Sequence, residues 1–182
     1  MNPIDELASK IADFIRQNHP KASSKELLTY SLIITINTLT ALLVSFVICA
    51  AAGNLERWLV VFLILTILRY FTGGAHLNSS LSCCIFTIIV FLLLVFVKYP
   101  YDYLGLTFDI ISLIVFAIYA PKGIDVIRKV SLRKKWTIKI CSLLLIFSNF
   151  YLQNSLLSSI IVVQAFSLTP WFEKIFKLER SY

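Results

Sequence analysis

Arg69-Tyr70-Phe71-Thr72-Gly73-Gly74-Ala75-His76-Leu77-Asn78-Ser79-Ser80-Leu81-Ser82-Cys83-Cys84 is a polar interruption between two apolar runs. A basic residue, a glycine pair, an imidazole and two thiols meet where the flanking chain is almost wholly hydrocarbon. A thiol seven residues after a histidine has the parts of a cysteine nucleophile and its base. Within one unbroken helix the two would share a face but stand ~10.5 Å apart along the axis, beyond the ~2.6–3.2 Å of a working hydrogen bond. The chemistry therefore requires a break between them. Gly73-Gly74 permit backbone angles closed to other residues, and Asn78, Ser79 and Ser80 are good N-cap residues. A helix starting near Ser79 or Ser80 puts Cys83 in its first turn, where the helix dipole favours negative charge.

The surroundings of this stretch are membrane-like. Of 182 residues, 58% are hydrophobic and only 15% charged, with a mean hydropathy of +0.82. A soluble chain carries about 25% charged residues. Six apolar segments are expected to form helices: 27–51, 58–68, 83–97, 104–120, 136–152 and 155–169. The first is long enough to cross ~30 Å of hydrocarbon at ~1.5 Å per residue. The second offers only eleven residues before Arg69, and the others are short, as in half-helices or re-entrant chain. The expected fold is all-α and polytopic, with about six transmembrane or re-entrant helices in one membrane domain over 1–182. Within it, 27–170 form the helical core and 171–182 a cytoplasmic tail.

Residues 1–25 read differently. Ile4, Leu7, Ala8, Ile11, Phe14 and Ile15 recur at helical spacing, with charges elsewhere on the wheel. Asn2 and Pro3 supply a start signal. This amphipathic helix is expected to lie in the cytoplasmic interface, the alternative being a helix packed on the body of the protein. No cleavable signal peptide is expected, because the start lacks an apolar core followed by a small-residue cleavage site.

Basic residues then set the orientation. Lys10, Arg16, Lys21 and Lys25 precede the first segment; Lys122, Arg128, Lys129, Arg133, Lys134 and Lys135 separate the fourth from the fifth; Lys174, Lys177 and Arg180 follow the sixth. Six crossings with an inside N-terminus put all three clusters in the cytoplasm, as the positive-inside rule prefers. Both termini and the Arg69–Ser82 turn are then cytoplasmic, in a multi-pass protein of the cell membrane. The formal charge of +7 reports this topology and contact with the lipid bilayer, and no nucleic acid is expected as a partner.

Four cysteines occur, and Cys49 and Cys141 lie inside apolar runs, where free Cys behaves as a packing residue. Two histidines without a His-Glu-x-x-His pattern argue against catalytic zinc; no cofactor is expected. Arg69 must pair, snorkel or bind something: a carboxylate or carbonyl of a peptide, or Asp109, itself a costly residue inside the fourth segment.

The pattern Arg69-x4-Gly74-x-His76-x6-Cys83 resembles the accessory gene regulator B (AgrB-like) peptidases, integral-membrane enzymes of quorum sensing in Gram-positive bacteria. The likeness extends to the amphipathic Ile4-Asp5-Glu6-Leu7-Ala8-Ser9-Lys10-Ile11-Ala12, to Tyr119-Ala120-Pro121 before a basic loop, and to Gln164 with Leu168-Thr169-Pro170. The resemblance implies a cysteine endopeptidase that removes the C-terminal tail of a short precursor peptide and helps close a cyclic thiolactone or lactone signal. It assigns Cys83 as nucleophile and His76 as base, makes Arg69 and Gly74 supporting positions beside Gly73, and implies a homodimer. Cys84 departs from the motif as an adjacent second thiol. Two other classes remain open from the residues alone: a small transporter or export component, and a non-catalytic membrane protein that docks a peptide.

Overall fold

The computed structural model describes residues 2–19, 22–74, 77, 79–122 and 131–176. Among them the protein is all-α, with eight helices and no strand. α1 (Pro3–Asn18) begins where the start signal put it: the Asp5 amide donates to the Asn2 side-chain oxygen at 3.0 Å, with Pro3 opening the helix. α2 (Lys25–Ala51) is capped by Ser24. α3 (Leu55–Thr72), α4 (Ser80–Phe96), α5 (Asp102–Tyr119), α6 (Leu132–Leu152), α7 (Ser155–Leu168) and the short α8 (Pro170–Ile175) follow. Each of the six apolar segments has become a helix.

Not all of them are spans by length and composition. α2, with 27 residues, and α5, with 18, are long and apolar enough to cross a bilayer. α4 and α7 are apolar but shorter, at 17 and 14 residues. α7 thus rises only ~21 Å, short of the ~30 Å core. α3 and α6 are long enough but carry charges inside, Arg69 in one and Lys139 in the other.

The described residues form two compact units, 1–53 with 77–92, and 54–76 with 93–182. In the first, α1 packs on α2 through Ala8 and Ala12, both fully buried. The Lys25 ammonium meets Asp13 at 2.7 Å, while Asp5 and Ser9 share a groove with Thr29, Tyr30 and Ile33. The two helices therefore run antiparallel, leaving Leu7 and Phe14 exposed. On the exposed face of α1, Lys10 pairs with Glu6 and, through its hydrogen bond and charge, holds that carboxyl below the usual carboxylate pKa.

Both units expose many large aliphatic residues and bury small and polar ones beside a hydrophobic core that includes Val61, Leu68, Phe91, Phe116 and Ile146. On α2, Ala41, Ser45 and Cys49 are buried, while Leu39, Leu43, Val47 and Ile48 face outward. In the second unit, Asp109, Ser112, Asn149, Ser158 and Gln164 are buried, and Ile110, Ile114, Ile118, Leu144 and Phe147 are exposed. Small and polar residues inside with large aliphatic residues outside is the arrangement of helices solvated by lipid. The chain is membrane-associated. Cys49 is buried as expected of a packing residue, but Cys141 is exposed on α6, because it falls on the outward face.

The second unit is built around Asp109. Its carboxylate accepts from the Tyr101 hydroxyl at 2.7 Å, the Asn149 amide at 2.8 Å and the Ser158 hydroxyl, joining α5, α6 and α7. Asn149 also exchanges bonds with the backbone of Asn154, whose side chain caps α7. Gly105 makes room for the donor, since a Cβ there would stand 2.4 Å from the Tyr101 ring. Burial and the Asp109 carboxylate push the Tyr101 hydroxyl up to about 12, so it stays a neutral donor. Asn149→Leu strips a donor from a fully buried acid, and should cost about 1–3 kcal/mol, read as a lower unfolding midpoint in detergent.

Candidate functional site

α3 stops at the glycine pair. The Thr72 hydroxyl bonds back to the Leu68 carbonyl at 2.8 Å, and Gly73 leaves the helix with φ 75° and ψ −146°. Gly74 follows at φ 147°. Both conformations are ones that L side chains rarely adopt. α3 thus ends at the glycine pair, and the next helix, α4, begins at Ser80.

Two distant segments, the end of α7 and Lys122, hold that break in place. The Gln164 amide, 1% exposed, donates to the Thr72 hydroxyl and to the Gly73 carbonyl, each at 2.8 Å. The Lys122 amide donates to the Thr72 carbonyl at 2.9 Å, pairing Gly73 with Lys122 in an isolated parallel bridge. The Lys122 ammonium in turn reaches the Leu168 carbonyl at 3.1 Å, closing the C-terminal end of α7. Ser167 completes the corner by donating to the Gln164 carbonyl at 2.7 Å. A Cβ on Gly74 would lie 3.2 Å from the Ser167 oxygen and 3.8 Å from the Arg69 guanidinium carbon. The half-buried Arg69 thus faces the glycine turn. Gln164→Leu removes both bonds to it, and we expect about 2–3 kcal/mol of destabilisation from the stranded acceptors, measurable by thermal unfolding.

The thiols lie in the other unit. α4 starts at Ser80, whose hydroxyl donates to the Asp5 carboxylate in the first turn of α1. The Cys83 amide bonds the Ser79 carbonyl at 2.9 Å, so Cys83 occupies the first turn of α4. Cys83 is half-buried, whereas Cys84 is buried and its thiol is directed at the Asn37 carbonyl of α2, 3.8 Å away. The two neighbours therefore have different surroundings, and only Cys83 is left partly accessible.

His76, the expected base, lies outside the described residues, as do Ala75 and Asn78 and most of the basic loop, 123–130. Asp109 does not pair with Arg69. Its partners are Tyr101, Asn149 and Ser158, neutral donors that satisfy the acid without bringing a guanidinium out of water. Sequence reasoning passed over Lys122 as one loop charge among several and did not single out Asn37. A carboxamide inside an apolar run is the signal that marks Asn37, Asn149 and Gln164 alike.

Comparison with known proteins supplies the rest. A protein of Halalkalibacterium halodurans named as AgrB-like is 26% identical over 119 residues. The match covers 65% of this chain and 60% of that relative, so it spans less than two thirds of the relative's length. No solved structure matches. The family model for accessory gene regulator B matches residues 8–173, almost from α1 to α8, and the chain belongs to that family.

Proposed function

We propose that the chain is a membrane-embedded cysteine endopeptidase that removes the C-terminal tail of a short precursor peptide and promotes its cyclisation into a quorum-sensing signal. The observation that carries this is the placement of Cys83. It stands in the first turn of a helix that begins just after a glycine break, partly accessible, with the neighbouring thiol turned into the protein. Family membership supports the same reading.

The steps follow from ordinary thiol chemistry. His76 takes the Cys83 thiol proton as the sulfur attacks the scissile carbonyl carbon, and gives that proton to the departing amine as the C–N bond breaks. The precursor's N-terminal part stays on the enzyme as a thioester. A cysteine thiol within it attacks that thioester carbonyl, its proton passes through His76 to the departing Cys83 sulfur, and a thiolactone closes. One thioester replaces another, so the exchange is nearly isoenergetic and needs no cofactor or oxidant. A hydroxyl in place of the thiol gives the lactone. Limited water at a membrane site slows competing hydrolysis.

Orientation follows from charge: both termini and the catalytic turn are cytoplasmic, and the exposed Leu7 and Phe14 of α1 enter the inner interface. Arg69 contacts the precursor backbone or tail, with Gly73 and Gly74 shaping the turn beside it, while Asp109 supports the fold of its unit. A homodimer is the proposed assembly. The test is intact mass after co-expression with the short peptide encoded beside the gene. An acyl-enzyme should form on wild type and on Cys84→Ser and be absent from Cys83→Ala. An adduct that survives Cys83→Ala ends the proposal.

A further inference from the structure

Between α1 and α2 the packing opens into a groove of about 390 Å³, a size at which clefts take ligands, ~300–1,000 Å³. Asp5 and Ser9 line it from α1, and α2 lines it from Lys25 to Ile33, ~12 Å of helix. One end is fastened by Lys25, whose ammonium reaches the two oxygens of Asp13 at 2.7 and 2.8 Å. At the other end Asp5 accepts the Ser80 hydroxyl, so the groove finishes where α4 begins. Ser80 and Cys83 are three apart on α4, and side chains at that spacing are neighbours, ~5–6 Å between Cβ atoms. A row of neighbours thus leads from the groove through Asp5 and Ser80 to Cys83, all within one unit.

The lining selects by chemistry. Lys25 is already neutralised by Asp13, which leaves the carboxylates of Asp5 and Glu26, and neither forms an ion pair among the described residues. Ser9, Thr29 and Tyr30 add hydroxyls, and Ile33 an apolar wall. A long basic side chain matches this combination, with an aliphatic stem for Ile33 and Tyr30 and a cationic head for the acids. An acidic segment would be repelled, and a hydrocarbon tail would leave the carboxylates and hydroxyls unserved. An extended chain advances ~3.3–3.6 Å per residue, so the groove holds about three or four residues of a peptide.

We propose that this groove is a substrate subsite, which takes the precursor residues beside the scissile bond and selects a Lys or Arg side chain within about five positions of it. This rests on the cysteine-peptidase reading and adds to it a specificity determinant built from α1 and α2. Because the groove ends beside the turn that carries Cys83, a basic side chain seated in it fixes which carbonyl meets the sulfur.

The test uses the full chain in phosphatidylglycerol nanodiscs, which carry no amine headgroup, and the short peptide encoded beside the gene. Each Lys or Arg of the peptide within about five positions of the cleaved bond is replaced singly by glutamine. One replacement should lower wild-type kcat/KM about 3- to 10-fold, mostly through KM. Asp5→Asn with Glu26→Gln keeps the hydrogen-bond acceptors and removes both charges. It should lose the same factor on the natural peptide and nothing further on the replaced one. Glu26→Lys should in turn prefer a peptide with Glu at that position, a rescue that a merely structural role would not give. A peptide with no basic residue in that window overturns the proposal, and so do wild-type kinetics in the double variant. Equal sensitivity of both proteins to every replacement also overturns it, as does a fall in unfolding midpoint that accounts for the lost rate. A charge effect seen only after phosphatidylethanolamine is added would give the groove to a lipid amine and overturn it too. A peptide still cleaved by Cys83→Ala would instead remove the reading beneath it.

Discussion

Cys83→Ala should reduce precursor cleavage by about 10⁴-fold or more, because losing a covalent nucleophile removes the reaction path rather than a binding contact. Cys84→Ser should retain cleavage within about threefold, since it keeps a small donor that can still reach a carbonyl. The contrast follows from position on the helix. Successive residues are turned by ~100° about the α4 axis, so when Cys84 points its thiol at Asn37, Cys83 must face elsewhere. It is the partly accessible one of the pair. Cys84 cannot take over without a rotation of α4, and the Ser80 bond to Asp5 of α1 opposes one. The measurement is precursor shortening by mass spectrometry across the two variants. Full activity in Cys83→Ala with loss in Cys84→Ser would move the nucleophile by one residue. Full activity in both would remove cysteine catalysis altogether.

Much of this architecture is legible residue by residue. Asn2-Pro3 opens α1 and the Ser79-Ser80 region opens α4, because capping is a local transaction settled within three or four residues. The glycine pair announces its own break for the same reason. What is not legible is pairing over long separations. Gln164 meets Thr72 across 92 positions and Gly73 across 91, and nothing local to either end names the other. Asp109 shows the opposite hazard. Its charge invites a cationic partner such as Arg69, yet Tyr101, Asn149 and Ser158 share the carboxylate instead. Neutral donors already near an acid carry less desolvation cost than a second buried charge. The expected inward packing of Cys141 failed because hydrophobicity marks both the interior and the lipid-facing surface, and does not separate them.

Gly74→Ala carries the second large effect, and it separates two costs that arise at one atom. The added methyl would stand 3.2 Å from the Ser167 oxygen, close enough that Ser167 or the turn must shift by a few tenths of an ångström. The backbone at φ 147° is a region that L residues avoid at about 1–3 kcal/mol. Shifting Ser167 disturbs the bond it gives the Gln164 carbonyl, whereas relaxing φ redirects the chain that leads on to the proposed nucleophile. Since misplacement by ~1 Å can cost ~10²-fold in rate, Gly74→Ala should lower kcat about 10- to 100-fold with a smaller change in unfolding midpoint. Ser167→Ala removes the crowding oxygen and leaves φ untouched. If backbone angle governs, Gly74→Ala with Ser167→Ala stays as slow as Gly74→Ala alone. Recovery in the double variant would mean that the glycine is there for room, and that the turn tolerates a side chain once the hydroxyl is gone. The first outcome ties Gly74 to the path of the chain between Arg69 and Cys83; the second confines it to the packing around Gln164.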